Sequence, residues 1–278
     1  MSVDTAPVFV IGSGRSGTEM VRKLLSQVPG IEIHHEYLCT HIQKAACLYS
    51  MGRMDANELK EVVLRLHGRA IHYTEAVTWV DCSNKLSWLI GPLCELFPRA
   101  KFVNLLRDGR KVVSSFYHKL ANEIYDDKSV RTLQAWLASG DAVPVPPPEK
   151  KYWWNIPQAG QPFAEQFERF DQFQRICYHW CEVNRVILDS LRGVHAGKQL
   201  TVKLEDLVAD TATLERFLCF FGVAYDGRFF DMLQRPHNVV FPRDFLLSDA
   251  QLAAFSSIAG EMMYRLGYSS EREYQVSY

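Results

Sequence analysis

Val8-Phe-Val-Ile-Gly-Ser-Gly-Arg-Ser-Gly-Thr-Glu-Met-Val21 joins an apolar strand to a glycine-rich turn and then to a helical pattern. Gly12, Gly14 and Gly17 permit backbone angles and close approaches that a side chain blocks. The Ser16, Gly17 and Thr18 amides are expected at a helix N-terminus, where aligned peptide dipoles favour an anion. Arg15 can fork onto phosphate oxygens, and the Ser16 and Thr18 hydroxyls can donate to them. The stretch is P-loop-like, but Gly17 is followed by Thr18-Glu19 rather than by the lysine and hydroxyl of an NTP-hydrolysing loop. Glycines alone would suit an ordinary strand-to-helix turn, whereas the added Arg, Ser and Thr favour an anion seat.

A second stretch repeats the logic: Lys101-Phe-Val-Asn-Leu-Leu-Arg-Asp-Gly-Arg-Lys-Val-Val-Ser-Ser115 reads as strand, charged turn, helix. Two anion seats on adjacent strand ends imply one ligand carrying two separate phosphate groups. Elsewhere, apolar runs near 8–11, 31–34, 78–82, 101–106 and 199–203 alternate with amphipathic stretches. That pattern predicts an α/β fold, an open parallel sheet flanked by helices. Helices are expected over 55–69, where Leu59, Val62, Val63 and Leu66 mark one face, and over 211–222 and 248–266.

Residues 121–170 break the alternation with Trp136, a Val-Pro-Val-Pro-Pro-Pro run at 143–148 and Tyr152-Trp153-Trp154. Proline runs continue neither helices nor central strands, so an irregular or helical excursion is expected here. It is read as a lid-like, acceptor-side insertion, or as tryptophans packing the excursion onto the domain, and both can hold. One domain covering 1–278 accounts for the chain.

With 31 basic and 32 acidic residues the net charge is −1, which disfavours nucleic acid, membrane surfaces or long polyanions as the main partner. No basic-then-apolar leader and no bilayer-length apolar stretch is visible, so a cytoplasmic protein without a membrane span is expected. Seven scattered cysteines form no zinc pattern, and reduced, mostly buried thiols are expected. Oligomeric state is not legible.

The motifs together resemble sulfotransferases that use 3′-phosphoadenosine-5′-phosphosulfate (PAPS), most of all the tyrosylprotein-type and related bacterial branch. Gly14-Arg-Ser-Gly-Thr18 resembles the 5′-phosphosulfate loop, and Arg107-Asp-Gly-Arg110 through Ser115 resembles the 3′-phosphate site. Asn84-Lys85 and His35-Glu36 fall where that branch carries an Asn-Lys pair and a catalytic glutamate, and 200–207 resembles a late strand and turn. Glu19 departs from the branch, replacing a second threonine. At the start of a helix it is expected to favour the dipole and point outward, leaving Thr18 as the hydroxyl contact.

The resemblance implies transfer of a sulfuryl group to a hydroxyl of a small or partly apolar acceptor. PAPS is the donor, 3′,5′-ADP the product, and no metal is expected. Arg15 neutralises the phosphosulfate beside Gly14, Ser16, Gly17 and Thr18. Arg107 and Ser115 hold the 3′-phosphate; Arg110 either joins them or pairs with Asp108. Lys85 stabilises the leaving phosphate oxygen. Glu36 is the general base, its pKa expected above the usual ~4.3 through partial burial. His35 is the rival base, and an extended backbone predicts that only one of the two faces the cleft. Outside the resemblance, a lone Glu, His or Lys at these places is more often structural, as expected of His34. The segment 235–243 is either a cover over the nucleotide or a surface turn. Trp180 and Tyr178 stack on adenine or, on helical patterning, pack the core. Two other functions fit the residues: a P-loop small-metabolite kinase, and an inactive nucleotide-binding protein.

Overall fold

The computed structural model describes residues 5–234 and 246–268, so the 235–243 segment lies outside the described residues. Five strands, β1 (Ala6–Ile11), β2 (Ile31–His35), β3 (Thr78–Cys82), β4 (Lys101–Leu106) and β5 (Gln199–Lys203), form one parallel sheet in the order β2-β3-β1-β4-β5. These are the five expected apolar runs. The inner strands β1, β3 and β4 are buried at successive positions because both faces of the sheet are covered there, whereas the edge strands β2 and β5 mix apolar with polar residues and are only partly buried. Phe9 and Ile11 point with Trp79 and Phe102 into one core. Val8 and Val10 point with Val80, Val103 and Leu105 into the other.

The helix α1 (Thr18–Leu25) follows β1, and α2 (Cys39–Ser50), α3 (Ala56–Val63) and α4 (Arg69–Tyr73) lie between β2 and β3. α5 (Ile90–Leu96) separates β3 from β4. Between β4 and β5 run α6 (Gly109–Lys119), α7 (Asp127–Ser139), α8 (Ala164–Phe167) and α9 (Gln172–Leu191). α10 (Leu204–Ala209), α11 (Thr211–Phe220), α12 (Gly227–Leu233) and α13 (Asp249–Arg265) follow β5. The helix expected over 55–69 runs on to Tyr73 through a π-helical stretch at Leu64–Gly68. The wider turn shifts the register: His67 is buried, while Leu66 packs only at the core's edge.

The excursion at 121–170 contains α7 and α8 and is packed down by its aromatics. Trp153 and Trp154 are buried with Phe116, Tyr125, Phe167 and Trp180. Trp153 Nε1 donates to the Pro147 carbonyl at 2.7 Å, and Trp154 Nε1 to the Glu123 carbonyl at 2.9 Å. Polar groups carried inward with large rings thus find acceptors, and the packing role of the tryptophans is met. Trp180 and Tyr178, on α9, are also core residues. α9 itself starts from a capping box in which Asp171 and Gln174 each accept the other's backbone N–H.

All strands run the same way, so the loops leaving β1, β3 and β4 emerge side by side at the carboxyl edge of the sheet, the usual ligand edge of open α/β folds. α6 can approach α9 and α13 there because it begins with Gly109. A Cβ on Gly109 would sit 2.7 Å from Trp180 Cε2 and 2.8 Å from Phe255 Cζ. Gly109→Ala is therefore expected to cost about 1–3 kcal/mol through overpacking, read as a lower denaturant midpoint. An unchanged midpoint would mean that the two rings move aside freely.

Candidate active site

The first loop is shaped by what cannot fit into it. A Cβ on Gly12 would meet the Leu105 carbonyl oxygen at 2.7 Å. Ser87 clamps Gly12, its Oγ accepting the glycine N–H at 3.0 Å and donating to its carbonyl at 2.9 Å. Gly17, with φ +99°, caps α1 without a side-chain acceptor for the leading N–H groups, which leaves that helix end suited to an anion. Ser16 Oγ is buried with no partner among the described residues. Arg15 adopts φ +55°, uncommon for a residue with a side chain and held here by its contacts.

Those contacts join the two segments. Arg15 Nε donates to Ser115 Oγ at 3.0 Å, and Arg107 Nη1 donates to the Arg15 carbonyl at 2.8 Å. Arg15, Arg107 and Ser115 thus meet across the seam between β1 and β4. Lys119, one helical turn beyond Ser115, belongs to the same cationic group. Burial, and the charges of Arg15 and Arg107, push its ammonium below the usual lysine range. Sequence reading missed Lys119, although the four-residue spacing from Ser115 on a helix was a usable signal. Arg110 instead folds onto Asp108, with bonds of 3.0 and 2.6 Å. Asp108 caps α6, and its own N–H is accepted by Glu205.

Glu19 lies along α1, where both its oxygens accept from Arg22 at 2.8 Å, in keeping with the outward expectation. Thr18 Oγ1 lies 3.0 Å from His35 Nε2. His34 turns instead to Glu32 at 2.7 Å. The expectation that only one of His35 and Glu36 faces the cleft fails for a backbone reason. β2 ends at His35 and Glu36 takes φ +55°, so the extended alternation no longer applies. His35 reaches the loop, while Glu36 Oε1 accepts from Lys150 Nζ at 2.7 Å. The expected upward shift of Glu36 is likewise corrected. Burial pushes its carboxyl up, but Lys150, His35 and Lys85 outweigh that and hold it below the usual carboxylate range. Lys150 comes from the insertion, and nothing local in sequence linked it to Glu36.

Lys85 sits on the single turn after β3. Its ammonium donates to the Trp153 carbonyl at 2.6 Å and stands 3.8 Å from the Trp154 ring centroid. Removal from water lowers its pKa to about 8. A cavity of about 10 Å³, room for about one water molecule, is lined by Asn84, Lys85, Trp153, Trp154 and His179 among others. Neutral His179, its pKa lowered to about 3 by burial, ties α9 to the loop through the Ser13 carbonyl at 3.0 Å. It too escaped sequence reading, since a histidine on a buried helix face carries no motif. All seven cysteines are free thiols. Among the described residues, no His/Cys/Asp/Glu cluster is arranged to hold a metal and no helix is long and apolar enough to cross a membrane.

The buried ammonium has a stability cost with a definite pH window. The Lys85 pKa is lower in the folded chain than the ordinary 10.5, so the unfolded chain binds the extra proton and stability rises with pH between the two values. Lys85→Met is expected to be more stable than the parent at pH 7 by roughly 1–3 kcal/mol. The gap should close as pH climbs from about 8 towards 10.5. Denaturant melts at both ends of that window measure it, and a variant no more stable at pH 7 would contradict a desolvated Lys85.

Residues 7–143, which hold both anion segments and Lys85, match the model of the sulfotransferase family. No curated protein matches the sequence. Among solved structures, the sulfotransferase domain from the curacin biosynthetic pathway is 14% identical, with 95% of this chain and 98% of that chain covered and a TM-score of 0.50. Sulfotransferase STF9 from Mycobacterium avium is 12% identical over 97% and 79%, with a TM-score of 0.52. The sulfotransferase from Alicyclobacillus acidocaldarius is 12% identical over 94% and 96%, with a TM-score of 0.51. At such identities the structural likeness is one of fold. The family match falls on the segments whose geometry is described above, and over residues 7–143 the chain is similar to the sulfotransferase family.

Proposed function

We propose that this protein is a sulfotransferase that uses PAPS as donor and transfers its sulfuryl group to a hydroxyl of a small or partly apolar acceptor. The observation that carries the reading is the joining of two cationic seats through Arg15, whose guanidinium reaches Ser115 and whose carbonyl is held by Arg107. A ligand with anionic groups at both ends of a nucleoside suits that arrangement; a mononucleotide would use half of it. Gly14, Arg15, Ser16, Gly17 and Thr18 serve the phosphosulfate end. Arg107 and Ser115 serve the 3′-phosphate, with Lys119 adding charge.

The donor supplies a sulfuryl group with charge spread over three equatorial oxygens, so fixed cations and amides carry much of the catalysis. The new sulfur–oxygen bond forms to the acceptor hydroxyl as the bond to the phosphate oxygen breaks. Glu36 takes the hydroxyl proton, and Lys85 stabilises charge on the departing oxygen. A lysine held in a dry aromatic setting interacts more strongly with such charge than a solvated one.

Arg107→Ala and Ser115→Ala are expected to weaken 3′,5′-ADP binding by roughly ten- to a hundredfold while changing 5′-AMP binding little. Equal losses for the two ligands would refute the 3′-phosphate assignment. Glu36→Gln should keep nucleotide affinity and slow transfer by roughly a hundredfold or more. If His35→Ala does so instead, the base is the neighbour.

A further inference from the structure

Glu36, the base in the reading above, is already engaged. One oxygen accepts from Lys150, and both side chains remain about a quarter exposed, at 27% each. The charged and titratable groups facing this carboxylate are His35 beside it, Cys39 on α2, Lys85 after β3 and Lys150 from the insertion. It feels all of these positive groups but is hydrogen-bonded to Lys150, and a carboxylate that neutralises a lysine is a poor proton acceptor. Withdrawing Lys150 would restore Glu36 as a base, but would leave a half-buried ammonium without its counter-ion unless another anion took it. A further cation, Lys44, reaches the insertion, its ammonium 5.8 Å from the Trp136 ring centroid and 5.6 Å from that of Trp153.

We propose that Lys150 determines acceptor specificity: the acceptor carries a carboxylate or similar anionic group near its hydroxyl, and this group takes Lys150 from Glu36 as the acceptor seats. The proposal rests on the reading of Glu36 as the base. The acceptor's anion and Glu36 compete for one ammonium, so substrate of the right class releases the base that it needs. A neutral alcohol leaves the ion pair closed.

The test uses the full chain saturated with 3′,5′-ADP and two probes of nearly the same shape, para-hydroxyphenylacetate and its neutral alcohol, tyrosol, titrated by calorimetry. The parent should bind the carboxylate in preference. Glu36→Gln, which releases Lys150, should tighten the carboxylate about tenfold. Lys150→Met should weaken it about tenfold while leaving tyrosol unchanged, and Lys150→Arg should restore the preference. Equal behaviour of the two probes across these proteins, including no binding of either, would overturn the proposal. So would unaltered carboxylate affinity in Lys150→Met. Retained 3′,5′-ADP affinity in every variant separates this outcome from failure of the donor assignment, which would appear as absent 3′,5′-ADP binding in the parent.

Discussion

The seam between β1 and β4 is the constraint on which the site depends. Their parallel pairing aligns Ile11 with Asn104, so the loops at Gly12 and Arg107 leave the sheet at one level. The crossing contacts then gather three cations, Arg15, Arg107 and Lys119. Like charges held together favour an anion, and burial together with that crowding depresses the Lys119 ammonium. Gly12 is part of the same constraint, because a Cβ there would meet the Leu105 carbonyl of the neighbouring strand. A side chain there would push the loops apart.

The second organising feature is the insertion. Its tryptophans bury it firmly, and the same residues line the surroundings of Lys85, with the Trp153 carbonyl and Trp154 face supplying contacts to the ammonium. A buried cation without a carboxylate partner is costly for folding, yet it is the state in which a cation responds most strongly to developing negative charge. Stability is set against chemistry at this one residue. Through Lys150 the insertion also reaches the Glu36 carboxylate, so both proposed catalytic side chains depend on chain far away in sequence.

This division explains what was legible before the structure. The inner strands could be read because burial on both faces makes them largely apolar runs, and the edge strands from shorter apolar signals at Ile31, Ile33, Leu200 and Val202. The proposed anion seats were legible as motifs because each is local, a loop and the helix turn that follows it. Arg110 was readable only as two alternatives, of which the structure shows the pairing with Asp108. Glu36 could be picked out, but not its environment. A non-glycine residue in the left-handed region leaves no mark in sequence, and Lys150 pairs with it across a proline-rich excursion. His179 reaches Ser13 only because α9 packs behind the loop, and His67 is buried because a π-helical turn breaks the expected spacing. The kinase alternative requires a loop lysine, whereas Thr18 and Glu19 occupy that stretch with partners of their own in His35 and Arg22.

The central claim is that one ligand fills both seats. Calorimetric titration of the parent chain with 3′,5′-ADP, 5′-AMP and ADP, without added magnesium, tests it most directly. The account predicts tight binding of 3′,5′-ADP and far weaker binding of the other two. Preference for ADP, or binding that appears only with magnesium, would contradict the two-seat reading and favour a kinase-type site.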